Sequence, residues 1–159
     1  MITMVARNRL KRNGAGSTDK SRLKRYWSDI ELDVGSGTPA KVISMEDARK
    51  FGKNEYPATV IVPALEYAAK NKNSFAGNHF DNIAQFKKFV TSLEAGGTKA
   101  FVGEIYAEPW RMKEEGDIYA ATLFVVDPTE GGFAEIVREH PDEFSKKDLA
   151  QNVWRVWWD

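Results

Sequence analysis

Thr98 to Asp127 reads TKAFVGEIYAEPWRMKEEGDIYAATLFVVD, two apolar runs joined by a charged turn, and the reading of this stretch decides the fold class. From Ala100 to Trp110 the residues alternate. Phe101, Gly103, Ile105 and Ala107 fall on one face, and Val102, Glu104, Tyr106 and Glu108 on the other. Period-two patterning describes a strand with one covered and one wetter face. Ile118 to Val126 is apolar on both parities, as expected of a strand buried on both sides. Between them Lys113-Glu114-Glu115-Gly116 is polar and carries a glycine able to take positive φ. The pattern predicts an antiparallel hairpin of 99–110 and 117–126.

Just upstream, Asp81 to Ala95 reads as a helix. Ile83, Phe86, Val90 and Leu93 form one apolar stripe, and Gly96-Gly97 ends it. The helix is expected to cover the sheet face that carries Phe101 and Ile105. Trp27 to Val34 (WSDIELDV) alternates again and predicts a further strand. Ser44 caps a short helix over 45–51, 59–62 is a brief β-branched run, 64–70 turns helical, and 71–78 is loop. Downstream, 127–132 is a turn and 133–140 a helical turn or two. Ser145-Lys146-Lys147-Asp148 has the form of a helix cap. Asn152 to Trp158 is rich in β-formers and reads as a last strand. The prediction is one α+β domain over 26–159, mainly antiparallel, with packed helices and a basic arm at 1–25.

At 159 residues the chain is long enough to bury a core without staples. It has no cysteine, which excludes disulfides, thiolate zinc sites and cysteine nucleophiles. No apolar run approaches the roughly 20 residues needed to span a membrane, and no apolar core follows the basic N-terminus. A cytoplasmic protein without membrane contact is the expectation. The net charge of zero hides an asymmetry. Residues 1–25 hold eight basic side chains and one acid, giving +7, while the remainder holds 15 basic and 22 acidic residues, giving −7. A basic arm on an acidic body points to phosphate contact by Coulomb attraction and counterion release.

Motifs for chemistry are sparse. Asp29, Glu31 and Asp33 share one strand face, which reads as the solvated face of an edge strand rather than a metal site. Glu104 and Glu108 lie about 13 Å apart at roughly 3.3 Å per residue, too far for a carboxylate pair. His79 and His140 lack metal-ligand spacing, so no catalytic residue, metal or cofactor is predicted. Leu32-Asp33-Val34-Gly35-Ser36-Gly37-Thr38 is a glycine-rich turn leaving a strand. It resembles the first motif of S-adenosylmethionine-dependent methyltransferases, with Val60 to Ala68 resembling that family's second strand and helix, and Ala107-Glu108-Pro109-Trp110 its strand-four motif. The resemblance implies a doubly wound parallel sheet and a cofactor against the Gly35–Gly37 turn. The chain departs from the family pattern in three ways. Pro39 and Ala40 follow where a third glycine is expected, Pro63 stands where the ribose-binding acid belongs, and the 98–127 hairpin leaves no room for a parallel crossover.

These observations favour a small non-enzymatic nucleic-acid-associated protein. Arg7, Arg9, Lys11, Arg12, Arg22, Lys24 and Arg25 would contact phosphates. Trp154, Trp157 and Trp158 would stack unpaired bases or meet a protein partner. Two alternatives remain: a protein-binding or inhibitor module using that aromatic surface, and a methyltransferase-like enzyme using the Gly35–Gly37 turn. The oligomeric state is not legible.

Overall fold

The computed structural model describes residues 31–34, 39–50, 59–148 and 151–159. The arm at 1–25, Trp27 and the Gly35–Gly37 turn lie outside them. Among the described residues there are seven strands in one sheet. These are β1 (Glu31–Leu32), β2 (Ala40–Val42), β3 (Val60–Pro63), β4 (Lys99–Gly103), β5 (Thr122–Val126), β6 (Glu143–Asp148) and β7 (Val153–Trp157), in the order β1-β2-β3-β4-β5-β7-β6. Five helices complete the set: α1 (Met45–Arg49), α2 (Ala64–Lys70), α3 (Ile83–Ala95), α4 (Pro109–Glu115) and α5 (Glu130–Arg138). Only β2 and β3 run parallel among the described pairs. The α+β prediction holds, and the parallel sheet implied by the methyltransferase resemblance is not the observed one.

The central pairing is the expected one. β4 and β5 are antiparallel, with Lys99 opposite Val126 and Gly103 opposite Thr122. The strands are shorter than predicted, and their connection is not a turn. Pro109 opens α4, where its missing N–H costs nothing, and Gly116 closes it at φ 85°, a left-handed cap. The charged run between these two residues is therefore a two-turn helix.

The faces also differ from strict alternation. Glu104 takes φ 51°, which interrupts the pleat. Phe101 stays on one side, while Ile105 and Ala107 join Val102 on the other. α3 covers the Ala100–Val102 side rather than the Phe101 side. It contributes Phe86, Phe89, Val90 and Leu93 to a core shared with Val62, Leu123, Val125 and Val156. Burying such side chains contributes roughly 1.5–3 kcal/mol each. Asn82 accepts from the Gln85 N–H to cap the start of α3, and Gly96 closes it.

The opposite face holds a second cluster, in which Leu32, Val34, Ala40 and Val42 of the β1–β2 end meet Phe101, Phe124, Val126 and Val153. Strands so far apart in sheet order touch because the sheet curls. Gln151 ties the ends together, accepting from the Asp33 N–H at 2.9 Å and donating to the Glu31 carbonyl at 3.3 Å. Gly103 admits this packing, since a Cβ there would stand 2.5 Å from the Phe124 ring.

Near the C-terminal end, Ser145 to Asp148 forms strand β6 against β7 instead of a helix cap. Pairing with β7 and contact of Phe144 with Trp154, ring centres 5.1 Å apart, override the local capping signal. Thr129 caps α5 by accepting from Gly132 N–H at 3.0 Å, so that helix begins earlier than expected. No helix of the described residues is long and apolar enough to cross a membrane.

Candidate functional site

Where β4, β5 and β7 end together, the Phe101 face of the sheet opens into a cavity of about 340 Å³. Its centre is Arg155, which β7 presents opposite Phe124 of β5. The guanidinium donates from Nε to Glu104 Oε2 at 2.7 Å and from Nη2 to Glu104 Oε1 at 2.5 Å, and from Nη1 to Glu143 Oε1. Thr122 Oγ1 also donates to Glu104, at 3.1 Å. The left-handed turn at Glu104 aims its carboxylate at this fork. Charge-assisted bidentate pairs of this kind are the strong ones. Hydrogen bonding to Glu104 raises the Arg155 pKa against the opposing effect of burial, and Arg155 in turn holds the Glu143 carboxyl below its ordinary value. Arg155 is therefore a fixed cation whose charge is spent on two carboxylates.

The walls are aromatic. Tyr106 and Tyr119 face each other across an isolated bridge, with N–H to carbonyl distances of 2.7 and 2.9 Å, and their rings lie 6.2 Å apart. Tyr119 Oη accepts from the Gly77 N–H at 3.0 Å, which fixes its ring against the 71–82 loop. Trp157 completes the wall from β7. Outside the cavity, Arg111 of α4 lies 4.5 Å from the Tyr106 ring centre and 4.4 Å from that of Trp110. Arg111 is also paired, with Glu108 at 3.3 Å and Glu115 at 3.7 Å. Trp110 is 56% exposed. Trp110, Arg111, Tyr106 and Tyr119 thus form a continuous row of flat groups leading to the cavity.

The three tryptophans read from the sequence separate. Trp157 lines the cavity. Trp158 is buried among Phe75, Phe80 and Phe89, stacked on His79, and donates its indole N–H to the Glu139 carbonyl at 3.0 Å. It also borders the cavity, but at 2% exposed it is held by the core and is no open stacking platform. Trp154 packs with Phe133 and Phe144 away from the cavity and donates to Asn152. His79 pairs with Glu139 at 2.9 Å and secures the loop beside the cavity. The seven arm residues Arg7, Arg9, Lys11, Arg12, Arg22, Lys24 and Arg25 fall outside the described residues. Among the described residues no group of three or more His, Asp or Glu is placed to hold a metal ion.

Sequence reasoning missed Arg155, Tyr119, Arg111 and Glu143. The one usable signal was Arg155 standing between Trp154 and Trp157 in a β-forming run. Its partners lie 51 and 12 residues away and depend on register.

Comparison with protein-family models, with curated proteins and with solved structures found no match to the chain.

Proposed function

We propose that the protein is a non-enzymatic binder of single-stranded nucleic acid. The observation that carries this reading is the row Trp110–Arg111–Tyr106–Tyr119 running to a cavity walled by Trp157. Unpaired bases stack on aromatic rings and on guanidinium planes, and every base has a π-face to offer. The charge separation in the chain supports the same reading. The +7 segment at 1–25 supplies the phosphate affinity that the −7 remainder lacks. Arg7, Arg9, Lys11, Arg12, Arg22, Lys24 and Arg25 are the phosphate contacts in this reading, and the aromatic row is the base contact.

Fluorescence anisotropy with labelled single- and double-stranded oligonucleotides tests it, comparing the full chain with a variant in which those seven residues are glutamine. If all seven act, raising salt from about 50 to 200 mM weakens single-strand binding by on the order of 10³-fold, and the neutralised variant loses most of that dependence. Absence of binding at the lower salt overturns the reading.

A further inference from the structure

The cavity is at the small end of ligand pockets, which span roughly 300–1,000 Å³. Its chemistry narrows what it accepts. A phosphate would need an uncommitted cation, and among the described residues the lining offers only Arg155, already held by Glu104 and Glu143. Glu104 and Asp159 of the lining, together with Glu143 bonded to Arg155, outweigh the single guanidinium. A lining with a negative balance of charge disfavours an anionic ligand. Arg111 at the approach is likewise matched by Glu108 and Glu115. A neutral planar ring meets none of this repulsion, and it finds flat partners in Tyr106, Tyr119 and Trp157.

We infer that this cavity takes one unpaired nucleobase, stacked against Tyr106, Tyr119 and Trp157, with the phosphates of its strand kept outside by the carboxylates of Glu104 and Asp159. The inference rests on the nucleic-acid reading above and adds a division of labour to it. The body supplies the base contact, and the basic arm supplies the phosphate contacts. A duplex, whose bases are stacked and paired, offers nothing to the cavity.

The test uses the full chain at about 150 mM salt and two labelled single strands of about twelve nucleotides, within the usual footprint of such sites. One is oligothymidylate and the other carries abasic sugars on the same phosphates. The expected result is that the base-bearing strand binds at least about fivefold tighter, the lower end of what one stacked base contributes. Tyr106→Leu and Trp157→Leu, each checked for a native melting profile, bring that ratio towards one and leave abasic binding unchanged. Equal affinity of the unsubstituted chain for both strands overturns the inference and the aromatic row's role as base contact, and leaves standing only phosphate binding by the arm, which the salt dependence tests separately. A preference that persists in both variants also overturns it, since the base would then be held elsewhere. Binding of neither strand overturns both readings.

Discussion

Asp117 accepts two hydrogen bonds of 2.9 Å from the guanidinium of Arg49, joining α1 to the connection between β4 and β5 across 68 residues of sequence. The same carboxylate accepts from the Lys72 N–H at 2.9 Å and the Ile118 N–H at 2.8 Å, and Arg49 donates onward to the Lys70 carbonyl. Asp117 is buried, so four donors surround one charge with little water to replace them. Burial pushes its pKa up, but the Arg49 hydrogen bond and the two backbone N–H groups together bring it below the ordinary value.

Asp117→Ala is expected to destabilise the protein by roughly 2–4 kcal/mol, towards the range for broken buried pairs but reduced because Arg49 reaches solvent. The pH dependence follows from the lowered pKa. This contribution is fully present above the ordinary aspartate value of about 4 and is lost as pH falls through the lowered folded value. Urea denaturation from neutral pH into acid measures it. The stability gap between the native chain and the variant should shrink in acid, and a gap that stays constant refutes the assignment.

Gly132→Ala is expected to cost about 1–3 kcal/mol, the usual range for overpacking. A Cβ at this position would stand 2.1 Å from Thr98 Oγ1 and 3.0 Å from Thr98 Cβ. Thr98 cannot move aside freely, because Thr98 Oγ1 accepts from the Thr129 N–H and meets the Thr129 hydroxyl at the cap of α5. Removing that oxygen with Thr98→Ala should make the second substitution partly compensatory. A thermodynamic cycle on the four proteins checks this, and strict additivity contradicts the clash.

How far the fold was legible depended on whether its determinants lay close in sequence. The β4–β5 pairing and α3 carry their own periodicity and end signals, so Phe86, Val90 and Leu93 announce the core. The α4 helix was misread because its two real signals, Pro109 at the start and Gly116 at the end, also suit a strand terminus and a turn. Strand β6 was unreadable locally, because β7 imposes it. The site failed for the same reason. Glu104 and Arg155 meet only through the β4–β5–β7 register, and no pattern in either segment names the other. Trp158, prominent in the sequence, was absorbed by the core.

Arg155→Met should destabilise by about 2–4 kcal/mol near neutral pH, since Glu104 and Glu143 would face each other without their shared cation. The Glu143 share of the defect is fully present above the ordinary glutamate range, because the Arg155 hydrogen bond lowers that carboxyl's pKa, and it should shrink in acid. A triple variant with Glu104→Gln and Glu143→Gln as well should recover part of the loss at neutral pH. Thermal melts of the three proteins at neutral and acid pH decide this. A pH-independent defect would assign Arg155 a packing role instead.

Trp110→Ala separates recognition from stability. The ring is 56% exposed and lies against Arg111, which keeps Tyr106, Glu108 and Glu115 as partners when the indole is gone. Exposed substitutions of this kind usually fall within about 0.5 kcal/mol, so the melting temperature should barely move. If the aromatic row carries bases, affinity for oligothymidylate should fall about fivefold, since one face of the indole is already taken by Arg111 and the effect belongs at the low end for a stacked base. Binding of an abasic strand should not change. Anisotropy titrations with both strands, run beside the melts, check all three expectations together. Unchanged affinity for the base-bearing strand would remove Trp110 from the binding surface, and equal losses on both strands would mean that the substitution acts through phosphate contacts.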